Sequence, residues 1–407
     1  MISDINQLRL QFPILGREIY SKPLVYFDNA ATAQKPLSVI EMSRLLLEQT
    51  NGNVHRAPHR MANDCTSYYE GAREKVRSFL NASGTDEIIF TSGTTASINL
   101  IARSFSSKFL KSGDTILLSQ AEHHSNIVPW QLVANELGLN IKVLPVDQSG
   151  RILSENIDEY LDDSVKLISI THISNVTGLI TPVKDICKKA QAKGVITVID
   201  GAQGIVHSKV DVKDIGCDFY AFSAHKLYGP TGVGVLYGRR ELLEQMPPWM
   251  GGGDMIESVS FEKTEYAPLP LKFEAGTPNY AGVAAMGAAL DFCNSLGENI
   301  HKHESDLIKA MKEGLSGIDG IKLFGGFENE RIPLFSFTVD GAHASDIAIL
   351  MDKMGIALRS GKLCAEPLVK HFGAESVVRA SLLPYNTLEE VEIFISSLKR
   401  VVKMLLN

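Results

Sequence analysis

Val195-Ile196-Thr197-Val198-Ile199-Asp200-Gly201-Ala202-Gln203 reads as a strand that ends on an acid and then turns. The run from Val195 to Ile199 is apolar or β-branched throughout. That marks a strand covered on both faces, as in the middle of a parallel sheet. Working outward, Glu87–Thr91, Thr115–Ser119, Ile141–Pro145, Lys166–Ile170 and Val233–Tyr237 are runs of the same kind, and Ala96–Ala102 between the first two is helical. Strand–helix alternation implies an α/β fold with a mostly parallel sheet and helices on both sides. The carboxyl ends of such strands open onto one edge, where ligands bind. Asp200 belongs at that edge.

The last third of the chain changes character. Pro333–Val339 alternates as a half-exposed antiparallel strand would. A helical run over 346–354 follows, then short strands at Ile356–Leu358 and Val377–Ala380. Thr387-Leu388-Glu389-Glu390 is a capping box, and Val391, Phe394, Leu398, Val401 and Val402 recur beyond it at helical spacing. These features divide the chain into an N-terminal segment (1–20) packing with the small domain, a large domain (21–296) and a smaller α+β C-terminal domain (297–407). The small residues of 282–290 suggest close packing against another element. Gly251-Gly252-Gly253, with prolines on either side, marks a long irregular loop of the functional or interfacial kind.

The 407 residues carry 47 acids against 40 lysines and arginines, a net charge of −7. A mildly acidic chain argues against nucleic acid or an anionic membrane as partner. None of the five cysteines forms a C-x-x-C pair, so neither a disulfide framework nor a zinc ribbon is expected and a reducing compartment fits best. No secretory signal or membrane-spanning run is visible, which makes the cytoplasm the expected location.

The chemistry concentrates in four clusters. Ser223-Ala224-His225-Lys226-Leu227-Tyr228-Gly229-Pro230 places a lysine at the end of a strand, on the same sheet edge as Asp200. A lysine to form an imine and an acid to keep a pyridine nitrogen protonated are what pyridoxal phosphate needs. Thr91-Ser92-Gly93-Thr94-Thr95 lies between a strand and a helix, so its N–H and hydroxyl groups can seat a phosphate, joined by Ser223 and His225. In Glu122-His123-His124-Ser125 the histidines have no partner at zinc-like spacing, and no metal site is expected. One imidazole there could stack on a planar ring and handle protons, with His172 and Asn175 at the corresponding edge. Finally, Arg359-Ser360-Gly361-Lys362-Leu363-Cys364 flanks a cysteine with two cations, a setting that favours thiolate, and Arg379 can bind a carboxylate in a fork.

Asp200–Gln203, Ser223–Gly232, Phe273-Glu274-Ala275-Gly276-Thr277-Pro278-Asn279 and the Arg359-x-Gly361-x-x-Cys364 loop together resemble the class V aminotransferase superfamily. Within it they are similar to the group II, SUF-type cysteine desulfurases and selenocysteine lyases, from about Phe12 to the C-terminal helix. The resemblance implies a type I pyridoxal-phosphate fold, a homodimer with both sites at its interface, and conversion of L-cysteine to L-alanine with sulfur passing to Cys364 as a persulfide. The sulfur would supply an acceptor protein of iron–sulfur cluster assembly.

Carried over by position, Lys226 holds the cofactor, Asp200 meets the pyridine nitrogen, Gln203 the ring oxygen, and His123 stacks on the ring. Thr94, Thr95, Ser223 and His225 hold the phosphate, with Thr277 reaching across from the second subunit. Asn175 and Arg379, helped by Arg359, grip the substrate carboxylate. Three departures from the family stand out: Lys362-Leu363 where many relatives have two histidines, Ala96 where an acidic residue commonly follows the paired threonines, and Ala57-Pro58 interrupting the segment that begins Asn53-Val54-His55-Arg56. The Arg359–Cys364 loop argues against transamination and epimerisation, while selenocysteine lysis stays open. Retention of Lys226, Asp200 and Cys364 together argues against a scaffold without chemistry.

Overall fold

The run ending at Asp200 is the central strand of a seven-stranded sheet in the computed structural model, which describes residues 2 and 4–406. In chain order the strands are β1 (Ile88–Thr91), β2 (Thr115–Ser119), β3 (Asn140–Leu144), β4 (Val165–Thr171), β5 (Ile196–Asp200), β6 (Phe219–Ser223) and β7 (Gly234–Gly238). Across the sheet they run β1-β7-β6-β5-β4-β2-β3. Only β7 is antiparallel to its neighbours; the other pairs are parallel. Both faces are covered, as the unbroken apolar run in β5 requires. Helix α1 (Arg60–Leu80) lies over one and helix α2 (Thr94–Phe109) over the other.

Helix α3 (Tyr280–Asn294) is buried along most of its length. Its small residues permit close approach to α1: a Cβ added to Gly287 would lie 3.1 Å from that of Ala72. A buried ion pair fastens the sheet edge to the segment before α3. Arg73 meets Glu274 at 2.7 Å, and the same carboxylate accepts the Phe90 N–H at 2.7 Å. The region around Gly251–Gly253 is not irregular throughout, because it carries a hairpin, Ile256–Val259 with Thr264–Tyr266.

A second, antiparallel sheet lies towards the C-terminus, with strands β8 (Ile321–Leu323), β9 (Leu334–Val339), β10 (Arg359–Gly361) and β11 (Val377–Ser381) in the order β8-β9-β11-β10. Helices α4 (Glu298–Ser316) and α5 (Leu388–Leu406) pack on it through Leu307, Phe394 and Leu398. The expected half-exposed strand is instead buried on both faces. Phe335, Phe337 and Val339 face these helices, and Leu334 on the other side meets Ile173 after β4. Its alternation separates two buried environments, not core from water. The capping box forms as read, with Thr387 N–H on Glu390 Oε2 and Glu390 N–H on Thr387 Oγ1, both 3.1 Å.

The N-terminal residues run between the two sheets. Phe12 packs on Tyr228, Phe292 and Tyr385, so this segment touches both units. Val25–Tyr26 pairs in parallel with Ile356–Ala357. The chain then passes through 28–35 before α1, which brings an N-terminal strap to the edge where β5 and β6 end. Among the described residues no helix is long and apolar enough to cross a membrane.

Candidate active site

The strap, the β-strand ends and β10–β11 enclose one cavity of about 690 Å³. Every site residue singled out in the sequence lines it except His172 and Thr277, the latter exposed on the loop after Glu274.

At one end the backbone makes an anion seat. Gly93 turns β1 into α2 with φ +153°, and Gly234 of β7 sits so close that a Cβ there would lie 2.3 Å from Gly93 Cα. Gly93 offers no side chain to cap the helix, so first-turn N–H groups remain available to a bound anion. Ser223 at the end of β6 closes the seat: its Oγ accepts the Thr94 N–H at 2.8 Å and lies 2.7 Å from Thr94 Oγ1. Thr95 Oγ1 meets Ser125 Oγ at 2.7 Å.

The turn Ala224–Lys226 carries the lysine, and the strap pins it. The His225 carbonyl accepts the Ala33 N–H at 3.0 Å, the Thr32 hydroxyl at 3.2 Å and Lys35 Nζ at 3.0 Å. Withdrawal from water lowers the Lys226 amine to about 8, with Arg379 adding to the effect and Asp200 and Cys364 opposing it. Asp200 is 4% exposed, and burial raises its pKa against the pull of Lys226. Burial, then the Lys226 charge, lowers His123 to about 3. A neutral imidazole whose Nδ1 accepts the Ser125 N–H, as here at 3.0 Å, must carry its proton on Nε2. His225 is similarly lowered to about 4 by burial, then by Lys226 and Lys35. Gln203 Nε2 donates to the Ala30 carbonyl at 2.9 Å, leaving its second N–H available.

The other end is built differently. Cys364 is the one exposed cysteine. Leu363 and Cys364 both hold a left-handed backbone, at φ 53°. Non-glycine residues there cost about 1–3 kcal/mol each and persist only where surroundings hold them. Three bonds to Asn175 and His124, which follow β4 and β2, do so. Asn175 Nδ2 donates to the Leu363 carbonyl at 2.7 Å, the His124 N–H to the Cys364 carbonyl at 2.7 Å, and the Glu366 N–H to His124 Nε2 at 3.1 Å.

The expectation that Arg359 and Lys362 leave Cys364 in a free positive field needs correction. Arg359 is forked onto Asp28 at 2.9–3.2 Å, and Lys362 is paired with Glu366 at 2.7 Å. Each cation faces a carboxylate because the chain brings Asp28 from the strap and Glu366 from the start of the helix after the loop. Arg379, 3% exposed, donates to the Asn175 carbonyl at 3.0 Å and to Asp28 at 3.3 Å, and its Nε has no partner among the described residues.

Sequence reading missed Asp28, the strap and the part His124 plays in holding the cysteine loop. A weak signal was present: Phe27-Asp28-Asn29-Ala30-Ala31 ends a short β run on an acid, as β5 ends on Asp200. Glu122 was likewise quoted without a role. It is fully buried, accepts from Ser119, from Asn126 at 2.7 Å and from the Thr171 N–H at 3.1 Å, and burial raises it to about 8. It fixes the turn bearing His123. His172 does not line the cavity; its Nδ1 meets the Tyr220 hydroxyl at 3.0 Å.

The residues present fit pyridoxal phosphate. A glycine-capped helix start with hydroxyls suits the phosphate, a buried acid suits the ring nitrogen, and an amine near 8 suits the aldehyde. The Arg379 side chain, which lines the other end, suits a carboxylate.

Comparison with known proteins agrees. The aminotransferase class-V family model matches residues 25–394. A probable cysteine desulfurase of Xylella fastidiosa is 46% identical over 99% of this chain and 96% of its own. A cysteine desulfurase of Pectobacterium carotovorum is 44% identical over the whole of both. The crystal structure of the cysteine desulfurase CsdA from Escherichia coli, in its S-sulfonic acid form, covers 100% of both chains with a TM-score of 0.92 at 38% identity. With a full-length match in sequence, fold and cavity, the chain belongs to the class-V aminotransferase family, with cysteine desulfurases as its relatives.

Proposed function

We propose that the protein is a pyridoxal-phosphate-dependent cysteine desulfurase that releases L-alanine from L-cysteine and keeps the sulfur on Cys364. The observation that carries this reading is that an exposed cysteine, held in a left-handed turn, shares one cavity with Lys226 and Arg379. Pyridoxal phosphate, when bound, supplies the electron sink that makes bonds near the substrate's α-carbon labile. Lys226 would carry it covalently, Asp200 would meet its ring nitrogen, Gln203 its ring oxygen, and His123 would lie over the ring. Thr94, Thr95, Ser223 and His225 would hold its phosphate.

Asn175, Arg379 and Arg359 would orient the substrate by its carboxylate. Lys226, lowered to about 8, can then take the α-proton as a neutral amine near physiological pH. The Cys364 thiolate attacks the substrate sulfur. A new S–S bond forms, the substrate's C–S bond breaks, and its electron pair stays with the carbon fragment, which takes one proton at Cβ, regains one at Cα and leaves as alanine.

The arginine–glycine–cysteine loop supports placement in the group II, SUF-type branch, with delivery of sulfur to an acceptor of iron–sulfur cluster assembly. Thr277, exposed and outside its own cavity, supports a homodimer in which it completes the partner's phosphate seat. The free cysteines support a reducing, cytoplasmic setting. The test is mass spectrometry of the intact protein after brief exposure to cysteine. A gain of one sulfur mapped to Cys364 supports the reading, and alanine release without that gain refutes it.

A further inference from the structure

Lys226 takes its aim from the peptide at its base, and that peptide is held from outside its own sheet. Earlier in the turn, Ala224 is anchored locally. Its N–H bonds the Val233 carbonyl at 3.0 Å, and its carbonyl accepts the Leu227 and Gly229 N–H groups, both at 2.9 Å. The His225 carbonyl, which belongs to the peptide bond leading into Lys226, is held differently. Its three donors all come from the strap: the Ala33 N–H at 3.0 Å, the Thr32 hydroxyl at 3.2 Å and Lys35 Nζ at 3.0 Å.

Lys35 is the member that makes these three a clamp. Its ammonium also donates to the Ala33 carbonyl and lies 3.3 Å from Thr32 Oγ1. Three N–H donors therefore meet three acceptors at one point, and residues 32, 33 and 35 close on the His225 carbonyl as one unit. None of these acceptors is a carboxylate, and burial draws the amine down to about 8. Lys35 does not line the cavity, so it stays clear of the reacting groups. Lys226 Nζ sits at the end of a flexible four-carbon stem, so a tilt of the peptide at its base is carried out to the amine. A misplacement of about 1 Å at a reacting group can cost about a hundredfold in rate. We propose that Lys35 is a positioning residue for Lys226: by clamping the His225 carbonyl, its ammonium fixes the direction from which the Lys226 amine reaches cofactor and substrate. This rests on the reading of Lys226 as the cofactor lysine and base.

The test follows two events that need Lys226 and not Cys364. One is exchange of the α-proton of L-alanine by the holoenzyme in heavy water, read by proton NMR; the amine takes the proton and a deuteron returns to the same carbon. The other is capture of pyridoxal phosphate by cofactor-free protein, read by stopped-flow absorbance. In Lys35→Met the exchange rate at saturating alanine, per bound cofactor, should fall about tenfold with the half-saturating concentration unchanged, and capture should slow by a similar factor. Lys35→Arg keeps the charge and the donors, and should return both rates to within about threefold of native. A merely structural role would lower thermal stability and cofactor content but leave both rates of the folded protein unchanged. That outcome overturns the proposal, as does a Lys35→Arg protein no faster than Lys35→Met. If Lys35→Met does not fold, Thr32→Val removes a single donor from the same carbonyl. It should slow both events by about threefold, and unchanged rates there overturn the proposal equally. A native holoenzyme that exchanges no α-proton would overturn the reading of Lys226 as the base, and the proposal with it.

Discussion

The two ends of the cavity hold their groups in opposite ways. At the cofactor end the parts are strand ends of one sheet: β1 runs through Gly93 into α2, and β6 runs through Ser223 into Lys226, with neutral donors and a lysine lowered to about 8. At the cysteine end nearly every restraint comes from afar. The left-handed Leu363–Cys364 turn is held by Asn175 and His124, and Arg359 is held by Asp28, more than three hundred positions earlier. A site can thus join a seat that forms with its sheet to a reactive loop held by residues far away in the chain.

The comparison breaks most completely at the two covalent positions. Lys226→Ala should cost roughly a thousandfold or more in turnover and leave no borohydride-trapped cofactor mass on the protein. Cys364→Ser should lower alanine release from cysteine by a similar order, yet leave cofactor attachment and cysteine binding intact, because the seat owes nothing to the loop. Cofactor loss from the serine variant would erase the distinction between the ends.

The next effect is on pH. A lysine attacks an aldehyde only as the neutral amine, and in Lys226 that form grows with pH up to about 8. Capture of pyridoxal phosphate by cofactor-free protein should therefore rise roughly fiftyfold between pH 6 and pH 8 and then level off. A rate still climbing towards pH 10 in stopped-flow absorbance would show an unshifted lysine.

Smaller changes sharpen the contrast. His124→Ala removes the acceptor for the Glu366 N–H. It should slow sulfur transfer to Cys364 by about tenfold, read as persulfide formed in a single turnover, with cofactor capture unchanged. Lys362→Ala should change the same rate by about twofold at most, since Glu366 already pairs with that charge. A tenfold loss there would restore the free positive field first expected around the cysteine.

The sheet, the Lys226 and Asp200 edge, the glycine turn before α2 and the capped last helix were legible in the sequence, because each depends on neighbours a few residues away. Periodicity, caps and strand-end turns are written in short windows. The burial of β9 on both faces was not legible, since its second cover, Ile173, comes from the segment after β4, far away in the chain. Nor was the true charge around Cys364. Composition places Arg359 and Lys362 beside it, but only folding brings Asp28 to one of them and the Leu363–Cys364 turn brings Glu366 to the other. Charge is a property of residues and can be counted along a chain. Its field depends on which charges end up within a few ångströms, and only the tertiary structure decides that.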